Sequence, residues 1–324
     1  MCLFLYHLSN CSLNPRNLEK AEEAFLQKDR MYDILLWVIV PIQYALLFLF
    51  LYSMQDANFD KATTWGKILS MGILCGSLGI NVAHELGHRS TKHEQLMAKA
   101  LLLTSLYQHF FIEHNRGHHK RVATAADPAT SRLGESVFTF WIRSVSMGYV
   151  SAWRLEAKRL AKKHGASGAN SPRYWLSWQN EMLRFQLIQA IFILDLGLIF
   201  NFTAVLAFVA AAVVGFLLLE TVNYIEHYGL VRQLRSDGRY ERVLPIHSWN
   251  SDHIWGRLLL FELSRHSDHH FEASRKYQVL RSFPDSPQMP TGYPGMILLA
   301  LVPPLWFGVM HRKIKVLLSQ NAKE

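Results

Sequence analysis

The chain has 324 residues, of which 50% are hydrophobic and only 18% charged, with a formal net charge of +9. So much apolar side chain excludes an intrinsically disordered protein. Three cysteines, Cys2, Cys11 and Cys75, with no C-x-x-C pair, exclude a disulfide scaffold, a zinc ribbon, a four-cysteine iron site and a Rieske centre.

Mean hydropathy is +0.06, ordinary for a soluble enzyme, but the apolar residues are bunched. Ile34 to Met54 passes through LLWVIVPIQYALLFLF without a charge, which predicts a helix able to cross a hydrocarbon core of about 30 Å. Thr64 to Ala83 predicts a second span, with Lys67 near one end where its stem can snorkel. Leu101 to Ile112 is too short to cross and reads as re-entrant, interfacial or protein-buried. Between Arg184 and Glu220 the only charge is Asp195. One helix of that length would extend about 50 Å, so the stretch reads as two spans broken near Asn201. Met296 to Val309 is again too short, and Pro303-Pro304 interrupts it. Four such runs are hard to bury in the core of one soluble domain.

Charge orients the spans. From Arg116 to Arg173 there are eleven Lys and Arg against three acids, whereas Gln55 to Thr64 carries Asp56, Asp60 and only Lys61. The positive-inside rule puts the long basic segment in the cytoplasm and the short one outside. The N-terminal arm (Arg16, Lys20, Lys28, Arg30), residues 84–182 and residues 220–290 then share the cytoplasmic face. Basic loops against anionic headgroups account for the net charge, with no nucleic acid required. No signal peptide is visible: Met1 to Tyr6 is apolar but short. GASGANSP, Gly165 to Pro172, reads as a flexible linker.

Of the sixteen histidines, nine fall into four groups. These are His84 and His88 in HELGH, His114, His118 and His119 in HNRGHH, His227 in NYIEHYGL, and His266, His269 and His270 in RHSDHH. Residues four apart share a helix face, so His84 with His88, His114 with His118, and His266 with His270 can each aim two imidazoles at one metal. Imidazole suits Fe, Zn, Cu and Ni alike. Nine exceed the needs of one tetrahedral site and divide naturally between two metals with open positions. His93, His109, His164, His253 and His311 read as ordinary satisfied histidines, and His7 is unassigned. HELGH alone also fits the H-E-x-x-H zinc peptidase motif, for which Asp195 is the one candidate for a distant third ligand. That reading leaves the other clustered histidines unemployed.

With these residues the chain resembles the membrane-bound di-iron alkane 1-monooxygenases, in the wider group of fatty acyl desaturases and xylene-type methyl hydroxylases. HELGHR (84–89), EHNRGHH (113–119), NYIEHYGL (223–230) and LSRHSDHH (263–270) are similar, in order, to that family's three histidine boxes and its HYG motif. The likeness continues through DPATSRLGESV (127–137), HSWNSDH (247–253) and PTGYPGMILLALVPPLW (290–306). Family members usually carry further membrane helices ahead of the segment matching Ile34 to Met54. Here the short arm MCLFLYHLSNCSL stands before Asn14-Pro15, so a truncated or shortened member is expected, with consequences for chain-length preference.

The resemblance implies an all-α, polytopic transmembrane helical bundle with a cytoplasm-facing, histidine-rich di-iron site, in the membrane of a bacterial cell. It implies residues 1–30 as an arm, 31–310 as the hydroxylase domain and 311–324 as a tail. It further implies His84, His88, His114, His118, His119, His227, His266, His269 and His270 as ligands of two Fe ions, with O2 as co-substrate. An n-alkane drawn from membrane lipid would be hydroxylated at its terminal carbon, one oxygen atom leaving as water. Such a C–H bond offers no polar handle, so a metal must do the hard chemistry. A desaturase or xylene-type methyl hydroxylase would use the same boxes. The chain has no G-x-G-x-x-G fingerprint and no cysteine set for an electron-carrying iron, so electrons must come from outside. The family's rubredoxin, reduced by an NADH-dependent flavin reductase, fills that role, with Arg116, Lys120, Arg121, Arg154, Lys158 and Arg159 as a dock. Glu85, Glu113, Glu226 and Asp268, and more weakly Asn223, Tyr224 and Asn250, are candidates to hold the far ring nitrogen of a ligand.

Overall fold

The computed structural model describes residues 17–55, 60–165, 168 and 171–321. Cys2, His7, Cys11, Asn14-Pro15 and Arg16 of the arm lie outside the described residues, as do Asp56 and, within the expected linker, Ala166, Ser167, Ala169 and Asn170. The principal helices are α1 (Lys20–Leu26), α2 (Arg30–Ser53), α3 (Lys61–Gly87), α4 (Lys92–Leu103), α5 (His109–Glu113), α6 (Val137–Lys163), α7 (Glu181–Ile199), α8 (Phe202–His227), α9 (Ile254–Leu259), α10 (His266–Phe271), α11 (Tyr293–Ala300) and α12 (Pro303–Asn321). Among the described residues no strand is formed, only isolated bridges such as Asn250 with Gln288.

Four described helices, α2, α3, α7 and α8, are long and apolar enough to cross a membrane, and they coincide with the four runs read from the sequence. The chain breaks between α7 and α8 because Phe200 is extended and Asn201 caps α8, its Oδ1 accepting from the Ala204 backbone N–H at 2.9 Å. Both short runs are interrupted, the second of them as expected from its double proline. Between α4 and α5 Leu106 takes a left-handed φ of 53°, and Pro303-Pro304 opens α12 after α11 has ended at Ala300.

Residue contacts divide the chain into two compact units. The spanning unit comprises Asp33–Lys120 and Ile142–Glu220. Its core joins Leu47, Phe50 and Leu51 of α2, Met71 and Cys75 of α3, Leu196 of α7 and Ala207, Phe208 and Ala211 of α8. Large apolar side chains such as Leu49, Tyr52, Leu69, Ile73, Leu194 and Leu198 face outward, which suits lipid and would be a liability in water. Asn201 Nδ2 donates to the Gln55 carbonyl at 3.2 Å, so the α2–α3 and α7–α8 connections adjoin at one end of this unit. His84, in the last turn of α3, therefore lies about a membrane thickness from that end. Helices α3 and α8 approach through small residues: a Cβ on Gly76 would meet the Gly215 carbonyl at 2.9 Å, and one on Gly215 would meet Cys75 Cβ at 2.8 Å.

The terminal unit comprises, among the described residues, 17–32, 121–141 and 221–321. Tyr224, Tyr228, Trp249, Met296, Trp306 and Met310 fill its core. The aromatic polar ends are satisfied: Tyr224 Oη donates to the Glu135 carbonyl at 2.7 Å and Trp249 Nε1 to the Tyr228 carbonyl at 2.9 Å. The segment read as a short N-terminal arm is docked from Asn17 onward, whose side chain exchanges two hydrogen bonds with the Ser282 backbone at 2.7 and 2.9 Å. Helix α12 runs through the expected tail boundary at residue 310. Gly229 explains the HYG motif in part. It holds a φ of +70° just beyond the end of α8, and a Cβ there would lie 2.6 Å from Ile314 Cδ1.

Gly215→Ala is expected to cost about 1–3 kcal/mol of stability, because its new methyl presses on the backbone-anchored Cβ of Cys75. Gly66→Ala, with nothing within 4 Å of the added atom, is expected to change stability by less than about 0.5 kcal/mol. Thermal unfolding of both variants in one detergent checks the contrast.

Candidate metal centre

In the spanning unit, four histidines meet at the ends of two helices. His84 and His88 come from the last turn and C-cap of α3. His114 and His119 flank a π-helical turn, His114–His118, that continues α5. The ligand nitrogens of His84, His88, His114 and His119 all lie within 4.8 Å of one another. His114 Nε2 is 3.1 Å from His88 Nε2 and 2.9 Å from His119 Nε2.

The π turn corrects one sequence expectation. An ordinary α-helix would pair His114 with His118, but the wider turn aligns residues five apart, so His119 joins this group. His118 is buried with its ring centroid 5.2 Å from that of His114. A second π segment, Cys75–Ile80, lies within α3 before HELGH.

In the terminal unit, His227 ends α8 while His266 and His270 lie four apart on α10, as the sequence predicted. Their ligand nitrogens also fall within 4.8 Å of one another, His266 Nε2 being 3.2 Å from His227 Nε2. His269 is buried on the same short helix, 5.6 Å from His266 and 5.5 Å from His270 between ring centroids.

These spacings fit a shared ion. Two nitrogens bound at about 2.1 Å stand about 3.0 Å apart at a right angle and about 3.4 Å apart in a tetrahedron. Their protonation fits too. Burial and the neighbouring imidazoles push His114 well below the ordinary histidine value, and burial with the adjacent cationic groups lowers His88 to about 3. Both rings are neutral at pH 7, as a ligand must be. An all-imidazole donor set suits iron, zinc, copper or nickel.

The acids next to the boxes go different ways. Glu85 pairs with Arg89 at 2.7 Å, and Arg89 reaches Asp33 at 3.3 Å. Asp268 is gripped by Arg281, with Nη2 to Oδ1 at 2.8 Å and the backbone N–H to Oδ2 at 2.8 Å. Glu113 is buried. Glu226 turns toward the imidazoles: its Oε2 lies 3.2 Å from His266 Nε2, and its Oε1 accepts from Tyr293 Oη at 2.6 Å. Asn223 is buried, Tyr224 is engaged by Glu135, and Asn250 bonds Ser267 and Asp252 at 3.0 and 3.3 Å. Tyr293 was not singled out from the sequence, where only the PTGYPG segment around it drew notice.

The solitary histidines serve structure. His93 meets Trp37 edge-on and His164 stacks on Tyr174. His311 bonds Tyr228 Oη at 2.9 Å. His109 is buried edge-on between Tyr107 and Tyr149. Asp195, the candidate peptidase ligand, is exposed on α7. Of the expected docking cations, Arg116 and Arg159 both close on buried Glu156, whereas Lys120, Arg154 and Lys158 are exposed.

Membrane helices that end in clustered histidines define a membrane-bound metalloprotein of the histidine-box kind. A family model described as fatty acid desaturase matches residues 61–309. Alkane 1-monooxygenase 2 of Pseudomonas aeruginosa is 41% identical over 93% of this chain and 78% of its own length. Alkane 1-monooxygenase of Ectopseudomonas oleovorans is 43% identical over 89% of this chain and 70% of its own. More distant, at 27% over 86% of this chain, is the xylene/toluene monooxygenase hydroxylase component of Pseudomonas putida. The chain belongs to the fatty acid desaturase family and, within it, to the alkane 1-monooxygenases.

His109 gives a pH test outside the ligand set. Burial lowers it from 6.5 to about 4, so in the window between those values the unfolded chain takes up a proton that the folded one refuses. Its contribution is complete above pH 6.5 and is lost as pH falls toward 4. His109→Phe is therefore expected to reduce the stability lost between pH 7.5 and pH 5 by roughly 1–3 kcal/mol, read from unfolding of wild type and variant at both values.

Proposed function

We propose that the protein is an integral-membrane, non-haem di-iron monooxygenase that places one oxygen atom of O2 on the terminal carbon of an n-alkane, giving a 1-alcohol. The observation that carries this reading is the pair of histidine clusters at helix ends, each with the nitrogen spacing of a metal shell, in a chain about 40% identical to alkane 1-monooxygenases. One iron belongs to each cluster. His118 and His269 complete the set of nine ligands with His84, His88, His114, His119, His227, His266 and His270. Residues 31–310 form the hydroxylase domain, between an arm at 1–30 and a tail at 311–324.

Bound iron would supply the O2 activation that an inert C–H bond demands. The protein's own part is threefold. Its rings are fixed in direction, with His266 set between His227 and Glu226. Its apolar helices admit an alkane from lipid without a desolvation cost. Its packed aromatic and aliphatic walls would set the chain end against the metal, where a small displacement costs rate steeply.

The histidine face lies on the cytoplasmic side of a bacterial inner membrane, a reading that the basic segment from Arg116 to Arg173 supports. Electrons come from rubredoxin, itself reduced by an NADH-dependent flavin reductase, and the exposed Lys120, Arg154 and Lys158 supply charge for an acidic carrier.

Product analysis tests the reaction. A host supplying rubredoxin and its reductase is fed octane, hexadecane, xylene and an acyl lipid. A 1-alcohol from an alkane is expected. Benzyl alcohol or a cis-alkene as sole product would move the chain to the xylene-type hydroxylases or to the desaturases. In the same host His227→Ala is expected to abolish turnover, and near-normal activity would remove it from the ligand set.

A further inference from the structure

Glu226 immediately precedes His227 at the C-terminal end of α8, yet it does not point away from the cluster as a neighbour one residue along a helix ordinarily does. Its Oε2 lies 3.2 Å from His266 Nε2, the same distance that separates His266 Nε2 from His227 Nε2. That nitrogen is the one facing the other imidazoles. A carboxylate that merely oriented a ligand would meet the far ring nitrogen instead, leaving the near one to the metal. A separation of 3.2 Å falls between the roughly 3.0 and 3.4 Å expected of two atoms sharing one ion. The second oxygen is held: Tyr293 Oη, fully buried at the start of α11, donates to Oε1 at 2.6 Å. The Glu226 backbone carbonyl is also engaged, accepting from the Trp249 N–H at 2.8 Å.

We infer that Glu226 is a carboxylate ligand of the metal held by His227, His266 and His270, and that Tyr293 fixes which of its oxygens faces the ion. The cluster then differs chemically from that of His84, His88, His114 and His119. One shell is purely imidazole and neutral, while the other carries an anionic oxygen donor that favours the more oxidised ion. The hydroxyl of Tyr293 is a donor only to the distal oxygen, so it lowers that atom's basicity and leaves Oε2 as the binding atom. Tyr293 is thus a positioning residue and Glu226 a ligand.

This assignment rests on the reading of the clusters as iron sites, and the experiment separates the two. Purified apoprotein in detergent is titrated anaerobically with ferrous 57Fe, and the Mössbauer spectrum of the loaded protein is recorded without turnover. Wild type is expected to take up two irons with two distinct quadrupole doublets; no uptake would overturn both readings. Glu226→Gln and Glu226→Ala are expected to weaken one of the two equivalents at least about tenfold and to change one doublet, leaving the other as in wild type. Tyr293→Phe is expected to change the same doublet with a smaller loss of affinity. With two irons in wild type, unchanged doublets and binding in the Glu226 variants overturn the assignment alone, even if their unfolding temperature falls, since a purely structural role would do that. Should the Glu226 variants not fold, an unchanged spectrum in Tyr293→Phe overturns it equally.

Discussion

Imidazole nitrogens standing 2.9 to 3.2 Å apart, in largely buried surroundings, are the most demanding feature of this fold. Each ring must leave water, and each lone pair must then find a partner or incur the penalty of a buried acceptor. His114 Nε2 faces both His88 and His119, and one ring proton cannot serve both contacts at once. A shared cation satisfies all of them together. It also explains why burial that holds these rings unprotonated is useful here, since a charged ring could not bind.

The remainder of the architecture reads as the means of delivering those rings. Helix α3 carries HELGH at its C-terminal end and α8 carries His227 at its own, so an apolar span and clustered imidazoles occupy opposite ends of the same element. Lipid-facing side chains on α2, α3 and α7 solve the solubility problem at one level, while the short helices after them supply the polar chemistry at another. Where an ordinary helix would turn a clustered histidine aside, the backbone departs from it. The π turn over His114–His118 brings His119 round beside His114, and the left-handed Gly229 ends α8 just after His227. Both features cost local regularity and are retained where the site needs them.

Much of this was legible in the sequence. Spans of about twenty apolar residues, a break at Asn201 and a double proline are strong signals because bilayer thickness and backbone hydrogen bonding leave few alternatives. The histidine clusters were equally plain as composition. Their geometry was not: the pairing of His114 with His119 depends on a π turn, which no residue in HNRGHH announces. The roles of the acids were unreadable for a related reason. Glu85 and Asp268 go to Arg89 and Arg281, whereas Glu226 faces His266, and only the tertiary placement of those partners distinguishes them. Tyr293, nearly seventy positions from Glu226 in the chain, could not be linked to it by any local pattern.

The most direct measurement is a metal count on the purified protein by mass spectrometry, made in parallel on two double variants, His114→Ala with His119→Ala and His266→Ala with His270→Ala. Two irons per chain in the wild type, falling to about one in each variant, is the expected result. A solitary zinc in the wild type, or an iron content that neither pair of substitutions alters, would contradict the reading of these histidines as two iron sites.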